Sequence, residues 1–282
     1  MKNVTEQKKI SVDIVSIILS SLGWGGLLYG FSTVGSAGWA DQTVIGALII
    51  GAVTLVLFIR RQNSLETPML NFRVFKSKEF TVTTILSVLM FAVMIGVETL
   101  LPLYVQNVRG GTALESGMML LPGAIITGAM SPVAGKMFDK FGARGMSIIG
   151  FVLMLLATML YMNIEMETSI LFIAVMFSIK MLGVSLLMTP LMTSGINSLP
   201  FQLIAHGTAM NNTIRMVGGS IGTVVIISVM STFTKSSNYI DPANALLEGI
   251  HAAFIIAGMM VLVGLLISLS LNKKSKQRQM AQ

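Results

Sequence analysis

Residues 169–195 read SILFIAVMFSIKMLGVSLLMTPLMTSG. A single charge, Lys180, interrupts a run long enough to cross the hydrocarbon core of a bilayer, which takes about 20 apolar residues in helical form. A buried strand would be shorter, and a soluble helix would show a charged face beside its apolar one. Working outward, comparable runs occur at approximately 12–34, 43–59, 80–105, 117–135, 146–163, 208–233 and 250–271, eight in all. Hydrocarbon offers no water to backbone N–H and C=O groups, so a chain crosses it only as helices or as a closed barrel. The alternating ten-residue pattern of barrel strands is absent. The expectation is an all-α, polytopic membrane protein with eight transmembrane helices.

Composition agrees. Of 282 residues, 54% are hydrophobic and 11% charged, against about 25% charged in soluble domains. The mean hydropathy is +0.80. A water-soluble globular enzyme is excluded. Cysteine is absent, which removes disulfides, thiolate nucleophiles, iron–sulfur clusters and Cys-type zinc sites. The 23 Met and 27 Gly suit adaptable, closely packed membrane helices. No G-x-x-x-x-G-K-[ST] phosphate loop and no H-E-x-x-H occurs. His206 at a helix start and His251 at a helix end are isolated and read as interfacial polar groups, so neither a metal nor an enzymatic role is expected. The first run follows Lys2, Lys8 and Lys9 as a secretory signal would. Its length and the seven runs behind it favour an uncleaved anchor.

The net charge of +7 falls unevenly. With alternate loops on opposite sides, one side collects Lys2, Lys8, Lys9, Arg60, Arg61, Arg73, Lys76, Lys78, Lys136, Lys140, Arg144 and the basic tail 273–278. The other side receives only Arg109 and Lys235. Basic loops face the cytoplasm, so both termini are expected there, beside anionic lipid. Nucleic-acid binding would need these charges gathered on one folded face with polar or aromatic readers, and none is supplied. The connector near Arg60–Glu79, with Pro68, divides the chain. Two membrane helices occupy 1–62, a cytoplasmic connector 63–79, a six-helix bundle 80–272 and a basic tail 273–282.

Ionisable residues inside spans are costly and are functional candidates by default. Glu98 stands in Gly96-Val-Glu-Thr-Leu-Leu-Pro102, on the order of 10 Å below the end of its run. A carboxylate there can exchange a proton or attract a cation; alternatively it hydrogen-bonds at the mouth and reaches water. Lys180, near mid-span, must face protein or a wet cavity, as a counter-charge or as a structural cation capped by carbonyls. Arg215, about two turns into its span, reads as a structural cation whose side chain snorkels to the interface. Gly218, Gly219 and Gly222 form a small-residue seam for helix packing. Gly123 and Gly128, with Pro122 and Pro132, mark a run that bends.

The loop Gly135-Lys-Met-Phe-Asp139-Lys140-Phe-Gly142-Ala-Arg144 holds an Asp against basic side chains at a helix end, a charge cluster able to latch one conformation. A short positively charged loop is the plainer reading of the same residues. The pattern resembles the cytoplasmic loop signature of the major facilitator superfamily. The stretches Leu101-Pro102-Leu-Tyr104-Val-Gln106, Leu121-Pro122-Gly123 and His206-Gly-Thr-Ala-Met-Asn211-Asn212-Thr-Ile-Arg215-Met-Val-Gly218-Gly219-Ser-Ile-Gly222 look like its fourteen-span drug:proton antiporter branch, of the lincomycin-resistance type. The resemblance covers essentially the whole chain but only the C-terminal part of such a transporter.

What the resemblance implies is a multidrug exporter of the cell membrane, expelling amphipathic or cationic drugs by alternating access. It needs no cofactor beyond the proton gradient. Its partners would be lipid, drugs, protons and an N-terminal half bearing the rest of the substrate path. Gly135, Asp139, Lys140, Gly142 and Arg144 would form the conformational latch, with Glu98 and Lys180 as proton or substrate candidates. Two alternatives stand beside it: a same-fold exporter of a metabolite, peptide or lipid precursor, and a non-transporting membrane fragment.

Overall fold

The structure, a computed structural model, describes residues 13–65, 68 and 70–271. Lys2, Lys8, Lys9 and the basic tail lie outside the described residues. Among the described residues seven helices are long and apolar enough to cross a membrane: α1 (Ile14–Ala37), α2 (Gln42–Ser64), α3 (Lys78–Leu103), α4 (Ala113–Tyr161), α5 (Ile170–Asn197), α6 (Ile204–Ser236) and α7 (Pro242–Ser268). No strand occurs among the described residues.

Local chemistry sets the ends. Asp41 caps α2 by accepting from the backbone N–H of Thr43 and Val44. Thr112 and Glu115 form a reciprocal capping box at α4, and Asp241 with Pro242 opens α7. Each satisfies donors that the first helical turn leaves without partners. The last turn of α3 passes into a π-helical turn, Tyr104–Val108, just after Pro102.

Among the described residues seven such helices occur where the apolar runs predicted eight spans, because one of them, α4, carries two of the runs. The runs at 117–135 and 146–163 are parts of one element, the 49-residue α4. The sequence reading treated the charged stretch between them as a loop, whereas the structure carries helix through Asp139 and Lys140 and interrupts it only at Gly142, with φ 70 and ψ 173. That region of backbone space is essentially reserved for glycine.

The two arms of α4 cannot lie on one straight axis. A Cβ on Gly123 would strike Phe177 and Met181 of α5, and one on Gly150 would strike Gly183 and Leu187 of the same helix. Along a straight α4, positions 123 and 150 would be about 40 Å apart, while 181 and 183 on α5 are about 3 Å apart in rise. Ala134 and Met146, from opposite sides of Gly142, share a small cluster with Leu186. The arms therefore double back at Gly142 and both lie along α5.

α3 and α5 are central, with 56% and 61% of their most apolar windows buried inside the protein, against 17% for α1 and α2. The main core joins Leu86, Met90, Val97 and Leu101 of α3 to Met154 and Tyr161 of α4, Phe177 and Leu187 of α5, and Phe254 of α7. In lipid, such helices associate through close packing rather than through escape from water, so small residues matter at the contacts. The backbones of α1 and α2 meet at Gly26 and Gly51, where an added Cβ would lie 3.0 Å from Ala47 O and 2.7 Å from Leu27 N respectively. Arg61 closes the far end of this pair with two bonds to Asp13, at 2.7 and 3.0 Å. That guanidinium, then the Ser16 hydroxyl, holds the Asp13 carboxyl far below the usual carboxylate range.

The glycine contacts make a graded prediction for unfolding midpoints in detergent micelles. A Cβ on Gly183 would sit 2.6 Å from the Gly150 carbonyl oxygen, a backbone atom, so Gly183→Ala is expected to cost about 1–3 kcal/mol. Gly142→Ala should cost about 1–3 kcal/mol through backbone strain alone. Gly128→Ala, with nothing within 4 Å of the added atom, should leave the midpoint unchanged. A neutral Gly183→Ala would show that the second arm does not press on α5 there.

Candidate functional site

Lys180 is fully buried on α5. Its Nζ donates to the carbonyl of Met94 on α3 at 3.1 Å and stands 4.9 Å from the centroid of the Phe177 ring. Phe177 lies one turn earlier on the same helix, where i and i+3 side chains meet. An ammonium carries three donors, and the carbonyl and the ring face replace only part of its hydration. The arrangement thus holds a lysine amine, with its hydration only partly replaced, between the two central helices.

Glu98 follows Met94 by one turn of α3 and is half-buried. No contact ion pair joins Glu98 to Lys180 among the described residues. A carboxylate and an ammonium therefore share one level of the bundle, with the carboxylate available to a third group.

The latch residues are not gathered in the same way. Asp139 and Lys140 are exposed, and Arg144 is half-buried. Lys140 Nζ stands 5.4 Å from the ring of its neighbour Phe141. No ion pair links Asp139 to Lys140 or Arg144 among the described residues. Gly135 has open space around it, and Gly142 makes the reversal already described.

On α6, Gly218, Gly219 and Gly222 face Val88, Phe91 and Ala92 of α3, and they pack that seam. Arg215 lies over Phe91, 4.9 Å from guanidinium carbon to ring centroid. Its Nη2 donates to Asn212 at a long 3.4 Å.

The two ends of the bundle differ. At the Arg109 end, the connection from α4 to α5 is held from several sides. Tyr104 donates its hydroxyl to the Glu165 carbonyl at 2.5 Å, Arg109 donates to the Thr168 carbonyl, and His251 Nε2 bonds the Ile164 carbonyl at 2.7 Å. At the Gly142 end, Ser77 and Ser198 share a 2.8 Å bond, and Ser194 donates to Glu79 at 2.7 Å. Nearby a chain of rings, Phe58, Phe72, Phe75 and Phe80, ties α2 to the start of α3.

The Phe177 ring and the Met94 carbonyl beside Lys180 were not singled out in the sequence. Helical spacing on α5 signals Phe177, three residues before Lys180. The Met94 contact spans helices and leaves no local trace.

A profile of the Major Facilitator Superfamily matches residues 14–223. The uncharacterised MFS-type transporter YcnB of Bacillus subtilis is 50% identical over 276 residues, covering 98% of this chain and 58% of that protein. The lincomycin resistance protein of Listeria monocytogenes is 40% identical over 282 residues, covering 97% of this chain and 59% of its own. The tetracenomycin C resistance and export protein of Streptomyces glaucescens is 28% identical over 229 residues, covering 80% and 42%. This chain therefore spans less than two thirds of the length of these relatives. With the helical architecture, the profile match and the identity to YcnB in agreement, the chain belongs to the Major Facilitator Superfamily.

Proposed function

We propose that this chain is the C-terminal part of a proton-coupled multidrug exporter, of the fourteen-span antiporter branch, completed by an N-terminal six-helix half. The observation that carries the reading is the buried Lys180 ammonium, held to α3 one turn from Glu98. A proton on Glu98 removes the negative charge that a cationic drug needs, and a bound cation disfavours the proton. One carboxylate that serves either cargo but not both makes the two mutually exclusive, the thermodynamic requirement of antiport. The relatives named for lincomycin resistance and for tetracenomycin C resistance and export support a drug as the cargo.

In this reading the protein sits in the cell membrane with both termini in the cytoplasm. The Gly142 end, rich in Lys and Arg, faces inward. Residues 1–62 form an accessory helix pair and 80–272 one wall of the substrate path. Asp139, Lys140 and Arg144 are open in this conformation and close as a charge latch in the other.

Two measurements test it in the transporter reassembled with an N-terminal half. Glu98→Gln is expected to reduce drug-stimulated proton release about a hundredfold, the scale of a lost acid–base group, while membrane insertion stays intact. Unchanged release would remove the proton role. Asp139→Asn is expected to lower export about fivefold, the lower end of a conformational coupling energy. Full export by that variant would remove the latch.

A further inference from the structure

Six buried side-chain nitrogen or oxygen atoms lack any hydrogen-bond partner among the described residues, and three of them are Thr84 Oγ1, Asn211 Nδ2 and Arg215 Nε. The helix register places these three at one level of the seam between α3 and α6. An added Cβ on Gly207 would meet Phe80, and one on Gly218 would meet Val88. α3 and α6 therefore run side by side in the same direction. Phe80, Thr84 and Val88 follow at four-residue steps and share one stripe of α3. Gly207, Asn211, Arg215 and Gly218 form the facing stripe of α6 by the same spacing. Thr84 thus stands opposite Asn211 and Arg215.

The chemistry of the three is one-sided. Arg215 Nε and Asn211 Nδ2 only donate, and the Thr84 hydroxyl can donate to whatever they hold. Thr84 and Asn211 are 2% and 4% exposed, so water at the protein surface does not serve them. Arg215 is half-buried, leaving an approach from the surface beside Met216, which is 60% exposed. The Phe91 ring lies 4.9 Å from the guanidinium carbon. No carboxylate pairs with Arg215 among the described residues. A snorkelling arginine would satisfy its donors in water, whereas this one keeps Nε dry and unmatched.

We infer that the α3–α6 seam at Thr84, Asn211 and Arg215 is a binding site for an oxyanion, a planar carboxylate or a phosphate oxygen. The Nε–H donates to the anion, and Nη2 can exchange its long bond to Asn212 for a second anion oxygen, giving the paired geometry that arginine favours. The Asn211 amide takes a second oxygen lone pair, and the Thr84 hydroxyl completes the shell. The Phe91 ring gives an aromatic acid an apolar flank. The site lies on a different helix pair from Glu98 and Lys180 and carries the opposite charge preference. An exporter with both sites would accept zwitterionic or acidic amphiphiles as well as cations.

Binding to the purified full chain tests this without any transport measurement, so its failure is separate from failure of the antiport reading. Radiolabelled benzoate is added to delipidated protein in detergent, and retention of phosphatidylglycerol is followed by native mass spectrometry from mixed nanodiscs. Saturable benzoate binding, weakened about tenfold in Arg215→Gln and in Asn211→Leu and unchanged in Arg109→Gln, supports the site with a soluble carboxylate as occupant. Preferential retention of phosphatidylglycerol over phosphatidylcholine, lost in the same two variants, supports it with a lipid phosphate as occupant. Arg215→Lys keeps the charge and the stem while removing the forked edge, and should bind with intermediate strength even if the glutamine variant fails to fold. The inference is overturned if neither anion binds the wild-type chain, or if both bind it no more tightly than Arg215→Lys and Asn211→Leu.

Discussion

Hydrocarbon gives a backbone no solvent to bond with, and the architecture follows from that deprivation. Every described segment long enough to cross is helical, and many hydroxyls inside the helices return their hydrogen bonds to their own backbone. Ser87 donates to Thr83 O, Thr158 to Met154 O, Ser185 to Met181 O and Thr223 to Gly219 O. Self-satisfaction of this kind leaves helix faces chemically quiet, so they join by shape. That is why the Gly150–Gly183 and Gly26–Gly51 contacts carry more of the assembly than any apolar side chain facing lipid.

Against this background the departures stand out. Lys180 and Arg215 are both cations within helices, and both lie near a phenylalanine ring. They differ in what else they find. Lys180 has a carbonyl from the neighbouring helix and an acid one turn away. Arg215 has a long bond to its own helix and a dry, unmatched nitrogen. The first is a charge whose surroundings have been arranged for it. The second is a charge whose surroundings are incomplete.

Much of this was legible in the sequence. The apolar runs identified the helices because length and hydropathy alone decide what can cross a bilayer. Lys180 and Glu98 were legible because a charge in such a run has no cheap explanation. The stretch around Asp139 was misread for a physical reason. Charged residues mark the end of hydrocarbon, not the end of a helix, and helix persists through Lys140 until Gly142 reverses it. The seam glycines on α6 were read as packing, and they do face Val88, Phe91 and Ala92. Sequence spacing gives the depth of Arg215 along its helix but not its azimuth, so the burial of its Nε was not foreseen. The facing Thr84 belongs to another helix and to no local motif.

The clamp at the Arg109 end has an evolutionary corollary. Tyr104, Arg109 and His251 all grip the intervening turn through its main-chain carbonyls, at Glu165, Thr168 and Ile164. A peptide oxygen is present whatever residue bears it. The grip itself therefore does not depend on the side chains at those three positions, although Ile164 is also buried in the main core and the Thr168 hydroxyl accepts from the Glu165 N–H within the turn. Selection should fall on the three residues that reach for it.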